Sequence, residues 1–302
     1  MIAIPASHKT MRLAGLLTPA LAVVVLLVGL PLVIMAYISL LDRGSTGGVT
    51  WNSPLSLHSY HSLLWDEDFD GNIIFNATYL SIFVRSAVQA AVTTFLCVLL
   101  GLPVALWMSS LSKSWKNVMV LLITIPFWTN LLVRNYAWLI ILREKGFVQS
   151  TVNSLWPANQ PVQLLYTDFA VAVGLVYSFL PFMILPIYSA FEKFDWRLLE
   201  AAYDLGANRR RAFARVIVPL SMPGIVAGSM LVFIPALGSF VTPALLGGGK
   251  TMMIGNLIQM QFSGSRNWPL GASLSIVVLT LLLITLMVFS LYRNRNITLR
   301  GK

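Results

Sequence analysis

Long apolar runs, separated by short polar segments, dominate this chain. No charged residue occurs in residues 13–41, 86–112, 169–191, 216–249 or 267–292, and the run 118–142 contains only Arg134. A helix needs about 20 apolar residues to cross the hydrocarbon core of a membrane, and an open sheet would leave backbone groups unpaired there. The pattern therefore predicts an all-α integral membrane protein with six transmembrane helices, near residues 14–40, 76–110, 118–142, 169–191, 220–245 and 269–292.

Composition supports a membrane protein and argues against an enzyme. The 302 residues are 57% hydrophobic and 11% charged, whereas a soluble domain carries roughly a quarter charged residues. The single Cys97 excludes an intramolecular disulfide and a multi-cysteine metal site. All three histidines precede residue 62, far from any plausible nucleophile. The sequence thus predicts no catalytic residue and no metal site in this chain.

The basic residues flank the six predicted helices unequally and so indicate their orientation. An even number of helices places both termini on one side, and cytoplasmic segments carry the excess of Lys and Arg. Of the 21 basic residues, 14 lie on the side of the termini and five on the other, at Arg43, Arg143, Lys145, Lys250 and Arg266. We therefore expect both termini and the loop 192–219 to be cytoplasmic. The net charge of +10 is then an orientation signal, and nucleic-acid binding is not expected.

Three segments follow from this topology. Residues 1–75 are predicted to hold the first helix and an extracytoplasmic loop. Residues 76–292 form the core transmembrane domain, with the cytoplasmic loop 192–219 inside it, and residues 293–302 form a cytoplasmic tail. The first helix follows Lys9 and Arg12 as a signal peptide would. Its apolar run is longer than the roughly 7–15 residues of a signal peptide, so we expect it to be retained.

The cytoplasmic loop carries the most informative pattern in the chain. Glu200 to Leu205 favours a short helix, and Gly206 permits the left-handed turn that ends one. A basic run follows, and Pro219 and Pro223 are expected to fix the start of the next membrane helix. A helix–turn–helix with small and apolar residues suits a groove on a cytoplasmic partner. The alternative is an amphipathic segment held to anionic lipid by the basic run 209–215.

The spacing of the loop residues resembles the EAA loop of ABC importer permeases. Glu200, Ala201 and Ala202 are followed by Gly206, six residues after the glutamate, and by Pro219, thirteen residues after the glycine. In that family the loop docks in a groove of a cytoplasmic ATPase and transmits its motion. The resemblance therefore implies an ATPase-docking loop built from Glu200, Ala201, Ala202, Asp204, Gly206, Ala207 and Pro219.

Further stretches between about Ala77 and Tyr292 resemble the permeases of spermidine/putrescine importers, and most closely their B-type subunit. They read IPFWTNLLVRNYAW (125–138), GLVYSFLPFMILPIY (174–188), GSMLVFIPALGSF (228–240) and NWPLGAS (267–273). The resemblance implies the type I ABC importer permease fold of methionine- and maltose-type permeases, in a bacterial inner membrane. It implies a second permease, two ATPase subunits that carry ATP and Mg²⁺, and an extracytoplasmic polyamine-binding protein. No cofactor is expected in this chain.

A route for polyamines needs groups that hold ammonium ions. No acidic residue lies inside a predicted span, so aromatic faces are the available groups, because cation–π contacts hold ammonium without a fixed counter-charge. We expect Phe127, Trp128, Tyr177 and Phe182 to line the path. The alternative for aromatic residues near span ends, such as Tyr136 and Trp138, is an interfacial belt.

Two arginines and an acidic loop complete the candidate residues. Arg85 and Arg134 are the basic residues closest to membrane depth, where charges usually face the protein interior or a watery cavity. Asn130 lies one helical turn before Arg134, so we expect the two to form a gate or scaffold. The outer residues Asp66, Glu67, Asp68 and Asp70 either meet a binding protein and gather polycations or form a solvated loop.

Two other functions remain open at this point. An ABC permease of the same fold could carry another small solute, such as an organic cation, an amino acid or a phosphonate. An ion-coupled secondary transporter belongs to a different class, and it predicts intramembrane acidic residues that this sequence lacks.

Overall fold

The computed structural model describes the backbone of residues 6–67, 72–144, 146–155 and 163–300, and the side chains of 18–19, 21–67, 72–144, 146–155 and 163–287. The chain divides into two compact units. The terminal unit comprises Met1–Tyr79 and Ile258–Lys302, and the central unit comprises Leu80–Leu257. The docking loop and the candidate path residues all belong to the central unit.

In the terminal unit, two long helices from opposite ends of the sequence pack together. Helix α1 (Ala6–Ile38) contacts α13 (Trp268–Arg300). Between them in sequence, β1 (Asp42–Arg43) pairs antiparallel with β2 (Val49–Thr50), and β3 (Trp65–Glu67) pairs antiparallel with β4 (Ile73–Phe75). The short helix α2 (His58–His61) contacts α13, where the Ser273 hydroxyl donates to the Ser59 carbonyl at 3.4 Å.

The central unit is helical throughout its described residues. Its elements are α3 (Thr78–Ser109), α4 (Lys113–Thr124), a 3₁₀ turn (Ile125–Trp128), α5 (Leu131–Leu142), α6 (Phe147–Leu155), α7 (Asp168–Glu192), α8 (Arg197–Asp204), α9 (Arg209–Ala212), a π turn (Phe213–Ile217), α10 (Val218–Leu237), α11 (Val241–Leu246) and α12 (Ile254–Ser263). The first two residues of α3 and the last six of α12 fall in the terminal unit.

Five helices of the described chain are long and apolar enough to cross a membrane. They are Leu21–Ile38, Thr78–Ser109, Asp168–Glu192, Arg209–Leu237 and Trp268–Met287. A sixth candidate span is the pair Lys113–Trp128 and Leu131–Leu155, which bends by 90° at its break. These spans match the six predicted apolar runs, with three differences in detail.

The predicted straight helix over 118–142 is the first difference. Helix α4 ends at Thr124, where the 3₁₀ turn that contains Pro126 begins. Helix α5 starts after Asn130, whose side-chain oxygen accepts from the Leu132 N–H at 2.8 Å. An asparagine cap supplies the acceptor that the first turn of a helix lacks. The apolar run concealed this break because the sequence is apolar on both sides of it.

The predicted helix over 220–245 is the second difference. Helix α10 ends at Leu237, and the separate helix α11 starts at Val241. Asn256 fixes the chain between them by donating its side-chain N–H to the Phe240 carbonyl at 2.7 Å. Gly255 approaches the same turn so closely that a Cβ there would lie 2.5 Å from the Gly238 carbonyl.

The start of this span is the third difference: α10 begins at Val218 with Pro219 in its first turn, as predicted, but a helical lead-in precedes it and Pro223 lies inside the helix. The helix runs without interruption from Arg209 to Leu237, and both prolines lie inside it. A proline ring in an α-helix clashes with the carbonyl four residues earlier, which is Arg215 for Pro219. The π turn over Phe213–Ile217 spans that position, and its wider hydrogen-bond spacing accommodates the ring.

The closest helix pair of the central unit is α7 with α10. A Cβ added at Gly224 would lie 2.6 Å from the Pro186 carbonyl oxygen and 2.9 Å from the Ile187 Cα, and one at Gly228 would lie 2.7 Å from the Met183 Sδ. Small residues four apart allow helix backbones to approach in this way. Met183 and Ile187 are fully buried in the main apolar core, together with Cys97 of α3.

We predict that Gly224→Ala destabilises the protein. The added methyl meets backbone atoms of α7, which cannot move aside as a flexible side chain would, and overpacking of this kind costs about 1–3 kcal/mol. The melting temperature of detergent-purified protein measures the effect. Gly29→Ala is the matched control, because a Cβ at that position in α1 meets nothing closer than 3.9 Å. Equal melting of the two variants would contradict the close approach.

Candidate functional site

The predicted docking loop forms a helix that ends in a glycine turn. Glu200, Ala201 and Ala202 lie in α8, and the helix ends at Asp204. Gly206 has a φ of +80°, and the Ala207 N–H donates to the Ala202 carbonyl at 3.0 Å. A left-handed residue with a hydrogen bond across the last turn is the usual glycine ending of a helix, so the local prediction from Gly206 is confirmed.

The loop presents a mixed polar and apolar surface. Glu200, Ala201, Asp204 and Gly206 are exposed, while Ala202 and Ala207 are half-buried. The apolar side chains of Leu198, Tyr203 and Leu205 are exposed at 49%, 45% and 89%. A tip that exposes a leucine so fully, next to small residues and a carboxylate, has the chemistry of a docking surface.

An aromatic cluster that the sequence reading missed ties this helix to α7. Phe191, at the end of α7, is buried, and its ring lies 6.4 Å from those of Phe194 and Trp196. Phe194 and Trp196 lie 4.7 Å apart. The spacing FEKFDW over residues 191–196 is the signal that could have revealed it. The cluster therefore links the end of α7 to Trp196, the N-cap residue of α8.

The other end of the loop is fixed to the same core. Asn208 caps α9, accepting from the Arg211 N–H at 2.9 Å. After the π turn the helix continues as α10, with Ile217 buried in the core cluster that holds Phe191. Pro219 is exposed on the second residue of α10. The loop is therefore attached at both ends to the closely packed pair α7 and α10.

The structure does not bring the four predicted path residues together in one cluster. Phe127 and Phe182 lie 4.6 Å apart, and Tyr177 contacts Trp138 at 5.7 Å instead. Trp128 is 78% exposed, and its ring contacts no other aromatic ring of the described residues. Tyr177 and Phe182 on α7 therefore pack against another ring and remain partly exposed. Trp128, at the break before α5, is exposed on the surface of this chain.

The predicted pair of Asn130 and Arg134 is not joined through its side chains. The Asn130 oxygen caps α5, as described above, and its link to Arg134 is the backbone hydrogen bond of the helix at 3.2 Å. Arg134 is half-buried, and its Nε is shielded from solvent without a hydrogen-bond partner. The adjacent Asn135 is fully buried, and its side-chain oxygen is also unpaired in the described chain.

Arg85 has a partner that the sequence reading did not identify. Its guanidinium donates to both carboxylate oxygens of Asp168, at 2.9 and 3.0 Å, and to the Lys250 carbonyl at 3.2 Å. Gln89 donates to the Asp168 backbone carbonyl at 3.0 Å, and the Ile254 N–H donates to the Ser86 hydroxyl at 2.7 Å. One face of α3 therefore holds the start of α7 and the segment before α12.

The acidic segment is only partly described. Asp66 and Glu67 lie in β3, paired with Ile74 and Ile73 of β4, while Asp68 and Asp70 lie outside the described residues. Among the residues that the structure does describe, no cluster of three or more His, Cys, Asp or Glu side chains could hold a metal ion.

Sequence comparisons place these features in a family. Residues 73–296 match the family described as "Binding-protein-dependent transport system inner membrane component". The spermidine/putrescine transport system permease protein PotB of Haemophilus influenzae is 39% identical over 268 residues, covering 89% of this chain and 88% of that protein. PotB of Escherichia coli is 41% identical over 211 residues, covering 70% and 77%.

Comparison with solved structures supports the same fold. A chain from the crystal structure of a bacterial ABC transporter involved in the import of the acidic polysaccharide alginate superposes with a TM-score of 0.69, covering 96% of this chain and 97% of that one at 13% identity. The predicted type I permease fold is confirmed. The chain belongs to the family of inner membrane components of binding-protein-dependent transport systems, and it is a multi-pass ABC importer permease.

Proposed function

We propose that this permease moves polyamines, spermidine or putrescine, into the cytoplasm. The observation that carries the proposal is its relationship to the two PotB permeases, which extends over 70–89% of this chain at about 40% identity. An aromatic and uncharged path agrees with a cargo that binds transiently through cation–π contacts. Other small solutes on the same fold are the alternative, and the uptake experiment below separates them.

The proposed assembly contains one copy of this chain and a second, different permease. Two ATPase subunits supply ATP hydrolysis with Mg²⁺, and an extracytoplasmic binding protein delivers the polyamine. Both termini and the loop 192–219 face the cytoplasm, as the distribution of basic residues indicates. The loop carries six basic and four acidic residues. Because most of these charges cancel, an ATPase groove that accepts the loop need not be strongly negative.

The mechanism follows from how the loop is attached. Closure of the ATPase subunits displaces α8 through Glu200, Ala201 and the exposed tip at Leu205. The aromatic cluster passes the displacement to α7, and the continuous helix from Arg209 passes it to α10. Because α7 and α10 are packed backbone to backbone, they move as one body, and rigid-body movement of such a pair produces alternating access.

Uptake of labelled spermidine and putrescine tests the function. The chain is co-expressed with its genomic neighbours in cells that lack their own polyamine importers, with and without Glu200→Lys. We expect uptake by the intact system and its loss in the variant, with the variant protein still present in the membrane. No uptake of either amine by the intact system would overturn the cargo, and wild-type uptake by Glu200→Lys would overturn the docking role.

Gly206 allows a sharper test of the docking turn. Within this chain nothing lies within 4 Å of a Cβ at this position, so a substitution acts on the fold of the loop only through backbone conformation. Valine disfavours the left-handed region, costing about 1–2 kcal/mol, while asparagine visits it more readily. We expect Gly206→Val to lose uptake and Gly206→Asn to keep most of it. Equal uptake by the two variants would show that the left-handed turn is dispensable.

The two neighbouring aromatic residues should differ in what their removal changes. Phe127→Ala removes a ring that packs on Phe182, and we expect a lower melting temperature as well as slower transport. Trp128→Ala removes an exposed ring, and we expect slower uptake at unchanged melting temperature and unchanged polyamine capture by the binding protein. Unchanged uptake by Trp128→Ala would remove this residue from the path.

A further inference from the structure

Arg134 is a cation for which the described part of this chain supplies no partner. The side chain is half-buried, its Nε is shielded from solvent, and neither a hydrogen bond nor an ion pair forms to its guanidinium there. Arg85 shows the contrast, because its guanidinium meets both oxygens of Asp168. Within the central unit, Arg85 is therefore ion-paired, whereas Arg134 is not.

An unpaired arginine in an apolar span is energetically unfavourable. The guanidinium does not lose its proton in proteins, so it cannot become neutral as a buried lysine or histidine can. Charged groups within membrane helices accordingly pair with one another or face a watery cavity. Arg134 lies in the broken pair Lys113–Trp128 and Leu131–Leu155, which is apolar enough to act as one span.

Among the described residues, no carboxylate lies within ion-pair distance of Arg134. Asp168 pairs with Arg85, and Glu192 accepts the Tyr188 hydroxyl at 2.7 Å. The Asn130 oxygen accepts from the backbone of α5. The other acidic residues all lie outside the apolar runs of the sequence. If Arg134 is paired and does not simply face a watery cavity, its counter-charge comes from another molecule.

The surroundings of Arg134 on α5 indicate the side from which a counter-charge approaches. Asn135 is buried facing α7, where a Cβ at Gly174 would lie 3.6 Å from its side-chain oxygen. Leu132, Val133 and Tyr136 are exposed at 48%, 64% and 52%. Arg134 thus stands at the border between the face packed within this chain and an uncovered apolar face. A membrane helix with one carboxylate complements such a border in shape and charge.

We propose that Arg134 forms an ion pair with a carboxylate on a membrane helix of the second permease. The inference rests on the proposed function, because it requires that partner. A carboxylate fits the planar guanidinium through two parallel hydrogen bonds, which fixes the register between the two helices. The pair also neutralises a positive charge that would otherwise repel a polycationic solute.

Charge reversal tests the ion pair in the assembled transporter. We expect Arg134→Glu to lower uptake roughly tenfold or more, a tenfold change corresponding to about 1.4 kcal/mol. Each Asp or Glu in the membrane helices of the second permease is then changed to Arg in turn. Reversal at one position should restore uptake to the Arg134→Glu transporter while impairing the transporter that retains Arg134. Arg134→Lys keeps the charge and should retain more uptake than Arg134→Met.

A cross-link provides a measurement that does not depend on activity. The chain has a single cysteine, so Cys97→Ser gives a background without thiols. In that background, a short bismaleimide should join Arg134→Cys to a cysteine placed at the restoring position of a cysteine-free second permease, because the side chains of an Arg–carboxylate pair hold the two backbones farther apart than a disulfide spans. Leu142→Cys is the matched control, because Leu142 lies on the same helix but is 1% exposed within this chain, and it should not cross-link.

The outcomes separate this inference from the proposed function. Co-purification of this chain with a different permease, and polyamine uptake by the pair, test the proposed function. If both hold but no reversal restores uptake and no cross-link forms, the ion pair is overturned. In proteoliposomes, uptake could instead depend on Arg134 and on phosphatidylglycerol but on no partner carboxylate. That result would assign the guanidinium to lipid headgroups and would also overturn the ion pair.

Discussion

The backbone contact between α7 and α10 is the constraint on which the rest of the central unit depends. Gly224 and Gly228 bring α10 onto Pro186, Ile187 and Met183 with no room for a side chain between them. The docking loop connects these same two helices, so both of its ends are attached to one rigid pair. A looser contact would absorb displacement of the loop as side-chain rearrangement, since well-packed interiors transmit strain where loosely packed ones do not.

Much of the fold could be predicted from the sequence because membrane spans and glycine turns are local signals. The apolar runs identify the spans, and Gly206 identifies the end of α8. The breaks at Asn130 and Gly238 could not be predicted, because the runs are apolar on both sides of each break. What decides them is a side-chain cap at Asn130 and a distant donor at Asn256, and neither changes the hydrophobic pattern. Pro219 correctly indicated the first turn of α10, but the π turn that continues the helix back to Arg209 leaves no sequence signature.

The candidate site was predictable to the extent that a family motif encodes it. The loop residues from Glu200 to Pro219 follow a fixed spacing, whereas the pairing of Arg85 with Asp168 joins residues 83 positions apart. Such long-range pairs arise from packing of whole helices and cannot be read from spacing. The path residues stand between these cases, because aromatic type suggested the candidates but only the structure separated Phe127 and Phe182 from Tyr177 and Trp128.

The exposed leucine at the tip of the docking loop has a consequence for a permease that has not yet assembled with its ATPase. Leu205 is 89% exposed and stands beside the exposed Tyr203, in a chain proposed to display this loop to the cytoplasm. An apolar tip without its groove is a surface that chaperones and proteases recognise. Subunits synthesised in excess of the ATPase would therefore be removed first. The tip proposed to dock on the ATPase would thus also mark a permease that has not yet met one.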